Sequence, residues 1–326
     1  MQYRKLGNSE LQVSAIGLGC MSMSGTYGKS DDAQSIDVVH RAFDLGINFI
    51  DSSDMYGWGH NEELLGRALK GRRSQAVLTT KFGQVQSPDG KGNLVDGSPA
   101  YVQRACDASL KRLGIDVIDL YYQHRVDPNV PVEETVGAMA RLVEEGKVRF
   151  LGLSEARPDR IRRAHAVHPI AAVQTEYSIL YRTEAEETRE MTRALGIGFV
   201  AYAPLGRGFL TGAIRELADV DGRRAQHPRF QAEHFDHNRQ LVRGIEAIAA
   251  AKGCSLSQLA LAWLLAQGAD VVAIPGTRYV RRLDENVGAA NFELTAVEIE
   301  RIASAIPKGS ASGTRYPAGG MQAVYL

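Results

Sequence analysis

Short apolar runs alternate along the chain with stretches in which apolar residues recur every three or four positions. The runs are AIGLGCM from Ala15, INFID from Ile47, AVLTTKF from Ala76, VIDLYYQH from Val117, VRFLGLS from Val148, AAVQTEY from Ala171, GFVAYAP from Gly198 and DVVAIPG from Asp270. Each has the length and character of a buried strand, so eight strands are expected. Between them, DDAQSIDVVHRAFDLG sets Ile36, Val39, Ala42 and Phe43 at helical spacing and stops at Gly46, and VEETVGAMARLVEEG stops at Gly146. Strand and helix in strict alternation imply parallel strands joined by crossover helices. Eight such units close more naturally into a barrel than they spread as an open sheet. The expected fold is therefore α/β, a (β/α)8 TIM barrel. MQYRKLGNSELQVSAIGLG should form an N-terminal β-hairpin and TAVEIERIASAI an extra C-terminal helix, with a loop-rich tail after it.

No domain boundary interrupts this pattern, and residues 1–326 are read as one domain. Irregular Gly-, Pro- and polar-rich insertions fall at about 83–97, 206–235 and in the tail from Pro307. The first two follow strand ends, where a barrel builds its site. An open dinucleotide-binding sheet would want GxGxxG in its first strand-to-helix turn. GLGCMSMSG at Gly17 has only GxG, with Ser22 at the third glycine position.

Charge and cysteine content narrow the partners. Lys plus Arg and Asp plus Glu both number 38 in 326 residues, so there is no net field for nucleic acid or an anionic membrane. A small-molecule partner is expected. Cys20, Cys106 and Cys254 are widely spaced and form no CxxC, which argues against a disulfide scaffold or zinc ribbon and for a reducing compartment. The N-terminus lacks the order of a signal peptide, and the most apolar region, LSQLALAWLLAQGADVVAIP, is broken by Gln267, Gly268 and Asp270. A cytoplasmic protein is expected, a monomer or small homo-oligomer with no membrane segment.

Polar residues at the carboxyl ends of barrel strands face the catalytic side. Asp51 ends the second expected strand, Lys81 the third and His124 the fourth, and Tyr56 lies five residues beyond Asp51. Taken singly, each has an ordinary reading as a loop cap, a solvated charge or a core side chain. Together on consecutive strands they make a coherent set. A phenol has a pKa of about 10, and a nearby ammonium would lower it toward a usable general acid. Asp51 would fix Lys81 by an ion pair, and a neutral His124 would orient a carbonyl oxygen toward Tyr56. Protonating that oxygen requires a nucleophile at carbon, and no Ser/His/Asp, Cys/His or Schiff-base set is evident. A hydride from a nicotinamide cofactor fits the gap. Asn61, Glu62 and Glu63 are expected to open the following helix.

In NFIDSSDMYG, LTTKFG and DLYYQH the chain resembles the aldo-keto reductases, nearly over its whole length. The resemblance implies a barrel with an N-terminal hairpin, a pyridine nucleotide, and reduction of aldehydes or ketones by a tetrad of Asp51, Tyr56, Lys81 and His124. It implies Ser154 of GLSE and Gln174 of VQTEYS at the nicotinamide carboxamide, with Glu155 where many members have Asn. Tyr202 of AYAPLGRG would stack on the nicotinamide ring, with the backbone of Leu205, Gly206 and Gly208 near the pyrophosphate. In IPGTRYVRRLDENVG, Gly276 stands where some members have lysine, Thr277 and Arg282 would meet the 2′-phosphate, and Glu285 and Asn286 the adenine. Arg278 and Arg282 are suited to planar recognition of a phosphate, so NADPH is expected ahead of NADH. Trp58, Tyr27 and Met23 are expected to line an apolar mouth for a small-molecule carbonyl substrate. Two other barrel functions compete with this reading. A metal-dependent barrel hydrolase lacks the His and Asp ligands it would need at strand ends, so no metal is expected. A cofactor-binding regulatory subunit of the same fold, with little turnover, is the alternative from another functional class.

Overall fold

The computed structural model describes residues 1–87 and 92–326. Strands β1 (Tyr3–Lys5) and β2 (Gln12–Ser14) pair antiparallel with Tyr3 opposite Ser14, which is the expected N-terminal hairpin. The eight barrel strands are β3 (Leu18–Gly19), β4 (Phe49–Asp51), β5 (Val77–Phe82), β8 (Ile118–Gln123), β9 (Val148–Ser154), β10 (Ile170–Glu176), β11 (Gly198–Tyr202) and β12 (Val271–Ala273). A small antiparallel hairpin, β6 (Gln84–Gln86) and β7 (Asn93–Val95), is inserted after β5. It occupies the expected 83–97 insertion, of which residues 88–91 lie outside the described residues.

All eight barrel strands pair in parallel with their sequence neighbours. The sheet then closes on itself. Parallel bridges join Ile16 to Ala273 and Gly19 to Gly276, and Ala273 accepts from the Gly17 N–H at 2.8 Å while donating to Ala15 at 3.1 Å. A Cβ fits poorly along this seam: on Gly19 it would stand 2.8 Å from the Ile274 carbonyl oxygen, and on Gly276 it would make a tight 3.1 Å contact with that of Gly19.

Helices α1 (Asp32–Asp44), α2 (His60–Ala68), α3 (Pro99–Leu113), α4 (Val132–Glu144), α5 (Pro158–Val167) and α6 (Thr183–Ala194) follow successive strands, with α7 (Ala232–Lys252) and α8 (Leu256–Leu265) between β11 and β12 and α9 (Val280–Gly288) after it. The chain is an eight-fold (β/α) barrel, with α10 (Ala296–Ala305) added near the C-terminus. Helix α8 is apolar on nearly every face because it is buried on nearly every face. Among the described residues no single helix is long and apolar enough to cross a membrane.

Two apolar layers separate strands from helices, and a third fills the barrel with Phe49, Leu120, Tyr122, Ala172, Val200 and Val272. Leu6, Leu11 and Val13 of the hairpin join this inner layer and plug one end. Strand alternation does the rest. Phe49 points inward and Ile50 outward, so Asp51 returns to the barrel axis at the strand's carboxyl end. Thr79 and Lys81 follow the same parity, while Thr80 faces out and donates to Glu62 of α2 at 2.6 Å.

Helix α2 begins one residue earlier than expected, at His60, after Gly59 in a left-handed conformation. Asn61 does not cap it. The side chain is buried, accepts from Ser52 at 2.7 Å and donates to the Cys20 carbonyl at 2.9 Å, which braces the loop after Asp51.

Inside the barrel Gly152 leaves room for the ring of Tyr122, to which an added Cβ would approach within 2.4 Å. Gly152→Ala should destabilise the protein by about 1–3 kcal/mol through overpacking, measured as a lowered denaturant midpoint.

Candidate active site

Four strand ends converge on a buried ion pair. Lys81 Nζ donates to Asp51 Oδ1 at 2.6 Å and to the Ser52 carbonyl at 2.7 Å. The other Asp51 oxygen accepts from Thr79 Oγ1 at 2.9 Å and from Gln174 Nε2 at 2.8 Å. The Asp51 carboxylate is thereby held from β4, β5 and β10 at once. The ammonium lies 5.3 Å from the centroid of the Tyr56 ring, and that ring meets His124 edge-on at 6.0 Å. His124 Nδ1 is 3.0 Å from Ser53 Oγ, a contact that sets the imidazole's orientation.

Burial dominates the proton affinities here. It lowers the Lys81 pKa against the opposing pull of Asp51, and lowers that of His124 well below the ordinary imidazole value, with Arg125 and Lys81 adding to the shift. His124 is therefore neutral at physiological pH. The expectation for Tyr56 is corrected in sign. Burial, then the Asp51 carboxylate, pushes the phenol well above its ordinary value, and Arg125 pulls the other way. The acid that immobilises the ammonium also offsets its field. Tyr56 holds its proton firmly until negative charge develops beside it.

These groups open into a trench of about 1550 Å³. At one end stand Asp51, Tyr56, His124, Ser154, Gln174 and Tyr202, with Trp58 and Tyr27 at the rim. Leu205, Gly208, Gly276 and Thr277 lie farther along, and Arg278, Arg282, Glu285 and Asn286 also line it. Gly206 is buried beneath the turn after β11. That turn puts Gly206, Arg207 and Gly208 in successive left-handed conformations, and Gly208 faces the trench without a side chain. Arg207 tolerates its strained backbone because its guanidinium is paired with Glu176 at 3.0 Å and covers the Tyr316 ring at 4.7 Å. The extended shape, the glycine turn and the arginines at the far end suit an elongated anionic dinucleotide.

At the far end, Arg278 donates to the Gly28 carbonyl across the cleft at 3.0 Å, and Arg282 lies over Tyr279. Thr277 is buried and bonded to the Tyr279 backbone, and Glu285 accepts from Ser255 at 2.6 Å. The seam explains Gly276: a side chain there would press on Gly19. Met23 is corrected. It is fully buried with Leu18, Cys20 and Leu64 in the layer beneath the helices and does not line the trench. Trp58 does line it, half exposed, with a left-handed backbone (φ 50°).

With this geometry in place, the comparisons with known proteins fall in one direction. The model of the Aldo/keto reductase family matches residues 15–307. The chain belongs to the aldo-keto reductase family. A probable aldo-keto reductase 1 from Glycine max is 48% identical over 317 residues, 96% of this chain and 91% of that one. Aldo-keto reductase yakc [NADP(+)] from Schizosaccharomyces pombe is 46% identical over 331 residues, 99% and 96% of the two chains. Among solved structures, the holo form of aldo-keto reductase AKR11C1 from Bacillus halodurans has a TM-score of 0.80 at 32% identity, covering 98% of this chain and 99% of that one. Glycerol dehydrogenase AKR11B4 from Gluconobacter oxydans has a TM-score of 0.84 at 27% identity, covering 96% and 98%.

This aldo-keto reductase carries a second buried charge cluster that motif reading missed. Glu155, at the position after Ser154, is gripped by both oxygens from Arg315 of the tail at 2.8 Å and accepts from the Glu176 N–H at 3.0 Å. Glu176 in turn accepts from Arg207 and Arg229, each at 3.0 Å. Tyr316, next in the tail, shares a 3.0 Å hydrogen bond with Tyr202. Glu155 thus anchors the tail over the trench. Burial raises the Glu176 pKa, but Arg207, Arg229 and Arg315 outweigh it and hold it near 2, against an ordinary carboxylate value of 4.5. Because the folded value is depressed, the stabilisation is full above pH 4.5 and is lost as pH falls toward about 2. Glu176→Gln should cost about 3–5 kcal/mol near neutrality by leaving buried arginines uncompensated. Its deficit against wild type, read by urea unfolding, should shrink as pH is lowered through that window.

Proposed function

We propose that this aldo-keto reductase is an NADPH-dependent carbonyl reductase in which Tyr56 is the general acid. The observation that carries the reading is the buried Asp51–Lys81 pair beneath a protonated Tyr56 that faces a neutral His124 in the trench. NADPH, when bound, supplies a hydride to the carbonyl carbon. The chain's residues then have separate tasks. His124, with Ser53 donating to Nδ1, presents Nε2–H to the carbonyl oxygen and turns it toward Tyr56. As charge gathers on that oxygen, the phenol releases its proton to it, and Lys81 steadies the phenolate left behind. Asp51 keeps the ammonium in place through both stages.

Cofactor binding follows the trench. Ser154 and the carbonyl oxygen of Gln174, whose amide nitrogen is engaged by Asp51, address the carboxamide, and the Tyr202 ring supports the nicotinamide. The Leu205–Gly208 turn lies along the pyrophosphate. Thr277, Arg278 and Arg282 take the 2′-phosphate, with Glu285 and Asn286 at the adenine and Gly276 leaving the path open. A yeast relative carries NADP(+) in its name, and two arginines near this end favour NADPH over NADH. Trp58 and Tyr27 form the substrate rim. One domain spanning 1–326 performs the whole task.

Tyr56→Phe should retain NADPH binding, followed by cofactor fluorescence, while kcat for an aromatic aldehyde falls about 10²–10⁴-fold. Cofactor bound without turnover by the wild type would instead favour a regulatory role, and undiminished turnover in the variant would remove Tyr56 as the acid. Because His124 is already neutral, the wild-type pH profile of kcat/KM should show no break near the ordinary imidazole value of about 6.5. A break there that disappears in His124→Gln would overturn that assignment.

A further inference from the structure

Arg125 follows His124 at the end of β8, lines the trench and is only 7% exposed. Arginine is seldom buried so deeply without an acid. Its contacts are neutral: Nη1 donates to the His124 carbonyl at 2.7 Å and to Ser154 Oγ at 3.3 Å, and Nη2 reaches Tyr316 Oη at 3.5 Å. Among the described residues no carboxylate pairs with it. Glu155, whose charge reaches Arg125, is already bound on both oxygens by Arg315.

Building on the reading of this site as a carbonyl reductase, we propose that Arg125 docks a carboxylate of the substrate. The substrate class is then aldehydes and ketones that carry an acid group on the side of the carbonyl facing Ser154 and Tyr316. A planar guanidinium with one long contact on Nη2 keeps donors free for the two oxygens of a carboxylate. The cofactor does not supply that anion. Ser154 puts Arg125 at the nicotinamide end, whereas the phosphates belong to the Leu205–Gly208 turn and the Thr277–Asn286 end. Tyr316 is the internal competitor, since Arg207 and Arg125 together lower its pKa against burial. Its single 3.5 Å contact is at the outer limit of a hydrogen bond, and its hydroxyl is shared with Tyr202 at 3.0 Å.

The test compares kcat/KM for 4-carboxybenzaldehyde with that for benzaldehyde in wild type, Arg125→Met and Arg125→Lys. Wild type should prefer the acid, Arg125→Met should lower the acid-to-neutral ratio at least about ten-fold, and Arg125→Lys should lower it less. The ratio cancels any general damage to the site. A wild type indifferent to the acid, or a ratio unmoved in Arg125→Met, overturns the proposal. Equal losses on both substrates do so too and assign Arg125 to the acidity of Tyr56. If wild type turns over neither aldehyde, the reductase reading fails, and calorimetric titration of benzoate into the NADP+-supplemented protein decides the subsite alone. Binding weakened at least about ten-fold in Arg125→Met supports it, and equal binding overturns it.

Discussion

The carboxyl end of this barrel is arranged around the 2.6 Å contact between Lys81 and Asp51, two side chains with almost no exposure to water. A buried ion pair is tolerated best when the remaining donors and acceptors are also satisfied. Here most of them are. Asp51 receives Thr79 and Gln174 in addition to the ammonium, and Lys81 gives a second bond to the Ser52 carbonyl. The bonds reach Asp51 on β4 from β5 and β10, so the pair is stable only if the barrel has closed with the right stagger. Closure in turn depends on a seam between Gly19 and Gly276, where a Cβ on Gly19 would stand 2.8 Å from the Ile274 carbonyl oxygen. Fold and site are thus specified by the same register.

A second cluster fixes what the first cannot reach. Glu155 and Glu176 sit near the ends of β9 and β10, and each draws in arginines from distant chain: Arg207 and Arg229 from the insertion after β11, and Arg315 from the tail. The insertions are thereby tied to the rigid sheet by charge rather than by apolar packing. That arrangement places Tyr316 against Tyr202 and roofs the trench beside them. Glu155 is the pivot, and its two oxygens held by Arg315 give a structural reason for an acid at this position.

Most of the barrel was legible because its strands are buried on both faces and read as unbroken apolar runs between amphipathic helices. The convergence of Asp51, Lys81 and His124 was legible because they interrupt those runs at their carboxyl ends. Other features depend on partners far away in sequence. Arg315 lies 160 residues from Glu155, in a tail whose composition signals only loop. Met23 looked like a rim residue in a loop near the site, yet the turn it occupies folds back under α2 and buries it. Asn61 has the chemistry of a helix cap, but its amide is taken by Ser52, Cys20 and Ser24. The direction of the Tyr56 shift needed the depth of burial and the position of Asp51, and neither is visible in spacing.

The charge balance of the two clusters differs, and the difference has a chemical consequence. Asp51 and Lys81 cancel, leaving a neutral pair under a protonated phenol and a neutral imidazole. Around the roof, two carboxylates face Arg207, Arg229 and Arg315, and Arg125 adds a fourth cation with no acid of its own. The chain as a whole has equal numbers of acidic and basic residues, so this local excess is a property of the trench and not of the composition. In a site walled by protein rather than water such an excess is weakly screened. It favours any species whose negative charge grows on the carbonyl oxygen. The lowered pKa of Lys81 has a different main cause, its burial, to which Arg125 adds a smaller push in the same direction. The buried ammonium therefore depends on Asp51 to keep its proton against the cost of burial.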